Sequence, residues 1–327
     1  MAIQSVFGLN RPTTAHGAYT LLDKYALNYN DLDAMDIPEK KHIVSPWLSE
    51  CSYTMISAQR GLGKTWFGLD LSLHIVHGVK WLGWEISNPC SVMYIAGEMT
   101  AKHMQTRIRK LRHGLPDTKH NLILLSSEFF ISNKVEAPVL TKELWRDAVR
   151  RYLELRPEIR VVIFDTVSAL FTGLDENSKE EWGDCDQWLN GLRFMGVAPI
   201  IVHHVGASGR QRGTTSREDS LDASILLKRK STYKKEDGCR FTVEFTKARN
   251  NDGNELPDLD VILVGKRTDP EAHFEIYADD KERMRNLDIF EQRKAGMSYS
   301  EIGEKFGISK QHVGRILNAQ SKDEAVT

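Results

Sequence analysis

The sequence predicts an α/β protein, with a core built on a mostly parallel sheet, an antiparallel extension of that sheet, and a small all-α module at the C-terminus. Apolar runs of strand length alternate with segments of helical periodicity between residues 46 and 204, which is typical of a parallel sheet covered by helices on both faces. Further apolar runs follow between residues 223 and 277 without helical segments among them, and these predict antiparallel strands. From residue 288 the pattern indicates three short helices.

These patterns place the elements in order along the chain. The predicted strands are 53–56, 91–96, 122–125, 161–165, 198–204, 223–228, 240–247, 261–264 and 274–277. The predicted helices are 66–76, 100–111, 141–155, 180–195, 288–295, 300–306 and 309–317, the last two with Ser300 and Ser309 as N-caps. The predicted domains are a weakly structured N-terminal arm (1–45) that packs on the core or on a neighbouring subunit, the α/β core (46–284), the helical module (285–320) and a disordered tail (321–327).

Composition narrows the class of protein. The 327 residues carry a net charge of −1, so any contact with nucleic acid must come from local basic patches. Cys51, Cys90, Cys185 and Cys239 show no paired spacing, which argues against a zinc site and a disulfide framework. Residues 1–11 lack the apolar stretch of a signal peptide, and no run approaches the length of a membrane span. We expect a cytoplasmic protein with reduced thiols and no membrane partner.

The motif that organises the chain is Ser-Ala-Gln-Arg-Gly-Leu-Gly-Lys-Thr at residues 57–65, between a predicted strand and a predicted helix. Strand, glycine-bearing loop and Gly-Lys-Thr are the parts of a P-loop, whose backbone N–H groups surround phosphate oxygens. Lys64 can reach the β- and γ-phosphates, and the Thr65 hydroxyl can ligate Mg²⁺. Ala58 stands where the pattern has glycine, and alanine does not tolerate an obligatory positive φ. The residues expected to bind ATP with Mg²⁺ are Gln59, Arg60, Gly61, Leu62, Gly63, Lys64, Thr65 and Trp66.

Two carboxylates follow predicted strands of the same sheet. Asp165 closes the apolar strand 161–165, as a Walker B carboxylate that holds Mg²⁺ does, although a strand-end Asp can also cap a turn. Glu98 follows the strand 91–96 and can orient the water that attacks the γ-phosphate; it can equally be a glutamate favoured by the next helix dipole. Because the carboxyl ends of parallel strands meet at one edge, we expect both near the phosphates.

Two further polar pairs end strands. His203 and His204 close the strand 198–204, and we assign His204 as a sensor of the γ-phosphate that passes its state to the loop 206–219, with a structural histidine as the alternative. Lys247 and Arg249 lie one residue apart, so they face the same way on a strand. Such a pair can reach a neighbouring subunit's nucleotide, or can be a solvated basic edge.

In combination these motifs resemble the RecA-like ATPases, specifically the DnaB/RepA-type hexameric helicases. The likeness covers residues 45–280 and is carried by residues 57–65, 94–100, 161–166, 201–204, 212–223 and 247–250. The resemblance implies a homo-oligomer, expected to be a hexameric ring, in which Lys64, Glu98 and His204 act within one subunit. Lys247 and Arg249 would complete a neighbour's site. It also implies loops that face a central channel, where Arg210, Arg212 and Arg217 would contact single-stranded DNA unless they are simply solvated.

The C-terminal module resembles the small helix-turn-helix of resolvases and sigma-type factors. In such folds the last helix enters the major groove of duplex DNA, and the candidate contacts here are Lys310, Gln311, His312 and Arg315. A helical bundle used for protein contact is the alternative, since the segment is not strongly basic. The chain is thus expected to be an ATP-driven DNA translocase or helicase of a plasmid, phage or mobile element. An ATP-switched DNA-binding regulator and a filament-forming recombination mediator are the other possibilities.

Overall fold

The computed structural model describes residues 12–174, 179–205, 219–230, 233–234, 237–249, 251, 256–265, 269–277, 286, 289–290, 292–293 and 296–324. The chain divides into two compact units, Met1–Glu275 and Ile276–Thr327. The division lies before residue 284, where the sequence patterns place the end of the core. None of the described helices combines the length and apolar composition needed to cross a membrane.

The first unit is organised by a nine-stranded sheet with the order β11-β10-β9-β8-β3-β7-β6-β4-β5. Its strands are β3 (Thr54–Ala58), β4 (Ser91–Ala96), β5 (Leu122–Ser126), β6 (Ile159–Asp165), β7 (Ala198–His204), β8 (Ala223–Lys228), β9 (Arg240–Ala248), β10 (Leu259–Val264) and β11 (His273–Ile276). The strands from β8 to β5 in that order run parallel, whereas β9 and β10 are antiparallel additions. The predicted α/β class and mostly parallel sheet are confirmed.

Helices cover both faces of this sheet. They are α3 (Lys64–His77), α4 (Ala101–Leu111), α5 (Ser127–Ser132), α6 (Glu143–Glu154), α7 (Val167–Leu170) and α8 (Lys179–Phe194). Successive strand residues enter opposite layers: Tyr94 and Ile163 belong to the hydrophobic cluster on one face, while Met93 and Val162 belong to the cluster on the other. Strands buried on both faces explain why the predicted core strands read as continuous apolar runs.

The N-terminal segment differs from the predicted arm. Helices α1 (Ala15–Tyr25) and α2 (Tyr29–Asp33) bury no residue against the unit. Strand β1 (His42–Val44), in contrast, pairs with β2 (Leu48–Ser49), and its Ile43 and Val44 are fully buried. The core therefore begins before residue 46, because these two side chains join the main hydrophobic cluster.

The second unit contains α9 (Tyr299–Phe306) and α10 (Lys310–Glu324), joined through Gly307 in the left-handed conformation. Ile289, Ile302, Val313 and Leu317 form its buried core. The N-cap of α9 is Ser298, not Ser300, because Ser298 and Glu301 bond reciprocally as a capping box. Ser309 does accept a hydrogen bond from the His312 amide. Helix α10 continues to Glu324, so four residues of the predicted tail are helical.

Candidate functional site

The strand register brings the predicted site residues to one edge of the sheet. In the parallel pairing, Ala58 at the end of β3 lies opposite His204 at the end of β7. Asp165 at the end of β6 lies opposite Ala96, two residues before Glu98. The carboxyl ends of four neighbouring strands thus surround the start of α3, which is where open α/β sheets bind ligands.

The phosphate loop has the backbone that its sequence requires. Ala58 lies in β3 as a buried strand residue, so the position needs no positive φ and alanine fits there. Gly61 and Gly63 have φ of 73° and 107°, which only glycine adopts without strain. A Cβ atom at Gly63 would lie 2.1 Å from the Cys239 Sγ atom. Leu62 is 2% exposed and packs into the core, so only its backbone is available to a phosphate.

Lys64 is the first residue of α3, and its ammonium folds back on the loop. Its Nζ atom donates to the carbonyl oxygens of Ala58 at 3.0 Å and Gln59 at 2.9 Å. Burial lowers the pKa of Lys64 to about 8, although the negative charges of Asp165 and Glu98 oppose the shift. The ammonium is therefore a cation held at the loop and ready to exchange carbonyl partners for phosphate oxygens.

Asp165 is buried beneath this ammonium. Its Oδ2 atom accepts a hydrogen bond of 2.6 Å from the Tyr94 hydroxyl. Burial raises the pKa of Asp165, and the nearby hydroxyls of Tyr94 and Thr65 oppose that rise. Its Oδ1 atom is buried and accepts no hydrogen bond of ordinary geometry from the described residues. A buried carboxylate oxygen without a donor, close to a threonine hydroxyl, fits the oxygen ligands that Mg²⁺ prefers.

Glu98 and His204 meet at the other side of the loop. The Glu98 Oε1 atom accepts a hydrogen bond of 2.8 Å from the Thr166 hydroxyl and lies 3.7 Å from His204 Nε2. Burial lowers the pKa of His204, and the Lys64 charge lowers it further, which favours the neutral imidazole. The Glu98 side chain is 55% exposed, so its second oxygen is open to solvent. His203, by contrast, is buried inside the sheet and is 2% exposed.

A cavity of about 330 Å³ opens over the phosphate loop. Its walls include the predicted Gly61, Gly63, Lys64, Thr65, Trp66, Glu98 and His204, together with Arg107, Thr166, Gly238 and Cys239. Arg107 corrects the prediction, because the pattern of α4 places it with the exposed basic residues Lys102, Arg109 and Lys110. Instead its guanidinium stacks over Trp66 at 4.8 Å, and burial lowers its pKa. Of the predicted loop residues, Arg60 is exposed and Gln59 half-buried.

The remaining predicted residues lie away from this cavity. Lys247 and Arg249 follow the antiparallel β9, whose end pairs with Ala223 at the start of β8, the opposite edge of the sheet from the phosphate loop. Both side chains donate to the Asp219 carbonyl, Arg249 at 2.9 Å and Lys247 at 3.4 Å. Arg210, Arg212 and Arg217 lie outside the described residues. In the second unit, Lys310, Gln311, His312 and Arg315 are all exposed on α10; its helix-turn-helix interpretation stays a prediction.

Solved structures of similar fold include two ATPase-like proteins, whereas no curated protein is significantly similar in sequence. One is the ATPase domain of a DnaB-like helicase, at 14% identity over 78% of this chain and 96% of that one, with a TM-score of 0.46. The other is the flagellar accessory protein FlaH from Methanocaldococcus jannaschii, at 15% identity over 70% of this chain and 91% of that one, with a TM-score of 0.44.

A family model matches most of the core. Residues 20–210, more than half of the chain, match the AAA domain family. That span contains the phosphate loop and the three strand-end residues Glu98, Asp165 and His204. The chain therefore belongs to the AAA domain family and is a RecA-like P-loop ATPase, as its motifs predict.

Proposed function

We propose that this ATPase is a DNA translocase or helicase of a plasmid, phage or mobile element, which works in the cytoplasm as a ring with nucleotide sites between subunits. The observation that carries the proposal is the convergence of Glu98, Asp165 and His204 on the loop that holds Lys64. Binding of nucleotide alone needs only the loop. A carboxylate and a neutral imidazole beside it are the additional parts that hydrolysis and its coupling to motion require.

Each residue has a chemical role in this proposal. The loop amides, Lys64 and Thr65 bind ATP, and Thr65 and Asp165 hold Mg²⁺, which when bound neutralises the charge of the phosphates. Glu98 orients the attacking water through the carboxylate oxygen that the Thr166 hydroxyl leaves free. His204 contacts Glu98 and begins the segment that leads to the channel loop. It can therefore report the state of the site to that loop.

The DNA contacts belong to two surfaces in this proposal. Arg210, Arg212 and Arg217 contact single strands in the channel, and the exposed side chains at the start of α10 contact duplex DNA. Hydrolysis should therefore be measured without DNA, with single strands and with duplexes, over a series of salt concentrations. A helicase is stimulated by single strands of any sequence and loses that stimulation as salt rises. Stimulation by one duplex sequence alone would favour the ATP-switched regulator and overturn the helicase.

The shared site has its own test. Lys247 and Arg249 lie at the sheet edge opposite their own phosphate loop, so they are suited to a neighbouring subunit's nucleotide and not to their own. Arg249→Ala should be inactive alone but should restore turnover when it is mixed with Glu98→Gln. Mixed rings contain interfaces with both wild-type residues, so activity should pass through a maximum with mixing ratio. No recovery at any ratio would contradict the shared site. Electron microscopy with an ATP analogue distinguishes rings from filaments.

A further inference from the structure

Tyr94 lies inside the core but carries a polar contact to the candidate metal ligand. It is fully buried in the middle of β4, within the apolar cluster on the α3 face of the sheet. Its neighbour across the sheet is Ile163 on β6, and Asp165 follows two residues later on the same face. A tyrosine ring can span this diagonal between adjacent strands. Its hydroxyl donates to Asp165 Oδ2 at 2.6 Å, a short, charge-assisted bond.

The P-loop helix leaves room for this hydroxyl. Gly68 of α3 faces the ring of Tyr94, and a Cβ atom at Gly68 would lie 3.1 Å from the hydroxyl oxygen and 3.4 Å from Cε2. A glycine in a helix interior costs about 1 kcal/mol relative to alanine. Here the absence of a side chain lets the tyrosine hydroxyl pass between α3 and β6 to reach the carboxylate.

The bond makes the two oxygens of Asp165 unequal. Oδ2 is engaged by Tyr94, whereas Oδ1 is buried and has no hydrogen-bond donor among the residues that the structure describes. Rotation of the carboxylate would break the bond to Tyr94 and would leave Oδ2 buried without a donor, which is costly. The hydroxyl therefore holds the carboxylate in one orientation, with Oδ1 as the free oxygen.

We propose that Tyr94 is a positioning residue for the metal site: it fixes which oxygen of Asp165 is offered to Mg²⁺. The inference rests on the proposed binding of ATP with Mg²⁺. Groups that orient a ligand typically change metal affinity by about 10-fold or more when removed. Because Lys64 and the loop amides hold phosphate without the metal, loss of Tyr94 should weaken binding of ATP with Mg²⁺ and spare binding of ATP alone.

The test is Tyr94→Phe, which keeps the ring and removes only the hydroxyl. Calorimetry of the full chain with ATP should show about 10-fold weaker binding in Mg²⁺ and unchanged binding in EDTA. Electron paramagnetic resonance of Mn²⁺ in the presence of ADP reads the metal site directly and should show weaker Mn²⁺ binding. The matched control is Tyr53→Phe, since Tyr53 is a fully buried tyrosine whose hydroxyl lies near Asp186, outside the cavity. It should leave both affinities at the wild-type value.

Gly68→Ala provides a second variant, because it crowds the hydroxyl without removing it. It should also weaken binding in Mg²⁺ more than in EDTA. Equal weakening with and without metal, or none in Tyr94→Phe, would overturn the inference while leaving the ATPase proposal standing. Failure of the wild-type chain to bind ATP at all would overturn the proposed function itself, so the two failures are distinguishable.

Discussion

The contact between the phosphate loop and Cys239 predicts how far Gly63 can be changed. Gly63 precedes α3 with φ of 107°, and its Cα faces the thiol so closely that a Cβ would lie 2.1 Å from Sγ. Gly63→Ala therefore introduces two separate costs, a strained backbone and a steric clash. Gly61→Ala is the matched control, because Gly61 also has positive φ, 73°, but nothing lies within 4 Å of its Cβ position.

The two costs can be estimated separately. A non-glycine residue in the left-handed region costs about 1–3 kcal/mol, and overpacking of a well-packed site costs about 1–3 kcal/mol more. Gly63→Ala should thus lower the free energy of unfolding by about 2–6 kcal/mol, and Gly61→Ala by only about 1–3 kcal/mol. Because domains are stable by about 5–15 kcal/mol, the larger loss is measurable without unfolding most such proteins.

Urea unfolding followed by fluorescence measures these free energies. Adding Cys239→Gly to Gly63→Ala should recover the steric part but not the backbone part. The double-mutant cycle should therefore show a coupling energy of about 1–3 kcal/mol. The cycle must include Cys239→Gly alone, which has a packing cost of its own. If Gly63→Ala costs no more than Gly61→Ala, or if removal of the thiol restores nothing, the contact between the loop and the β8–β9 turn is wrong.

Three further predictions concern the same chain. Arg107→Ala should raise the Kd for ATP about 10-fold, or about 1.4 kcal/mol, with kcat nearly unchanged, because Arg107 supplies charge to the cavity wall; a lower kcat with unchanged Kd would contradict this. Since the pKa of Lys64 is about 8, ATP affinity should fall as pH rises from 7 to 9, and calorimetry in two buffers should detect proton uptake on binding near pH 8. A chain ending at residue 284 should retain ATPase activity, since the second unit is compact by itself; loss of folding would refute the separation.

Sequence reasoning found those site residues whose positions follow from strand ends. Glu98, Asp165 and His204 each close an apolar run, and parallel strands must place their carboxyl ends on one edge. The departure at Ala58 has a simple explanation, because this position continues β3 and needs no glycine. The local pattern was sufficient in these cases because position along a strand determined position in the site.

Residues whose roles depend on long-range neighbours were not predictable in this way. Tyr94 reads as one more apolar strand residue, and only the adjacency of β4 and β6 brings its hydroxyl to Asp165. Arg107 reads as a basic residue of an amphipathic helix until Trp66 is known to lie beneath it. Cys239 reads as an isolated thiol, because nothing local indicates that the β8–β9 turn folds over the loop. Strand order and turn placement come from the whole sheet.

The central claim is that Glu98 acts on a phosphate held by Lys64, and Glu98→Gln tests it most directly. This change keeps the size of the side chain and its contact with Thr166 but removes the charge. We expect ATP to bind with the wild-type Kd and hydrolysis to fall by about 10²–10⁴-fold. Glu136→Gln, at an exposed glutamate outside the cavity, should hydrolyse ATP at the wild-type rate. Wild-type turnover in Glu98→Gln would contradict the account.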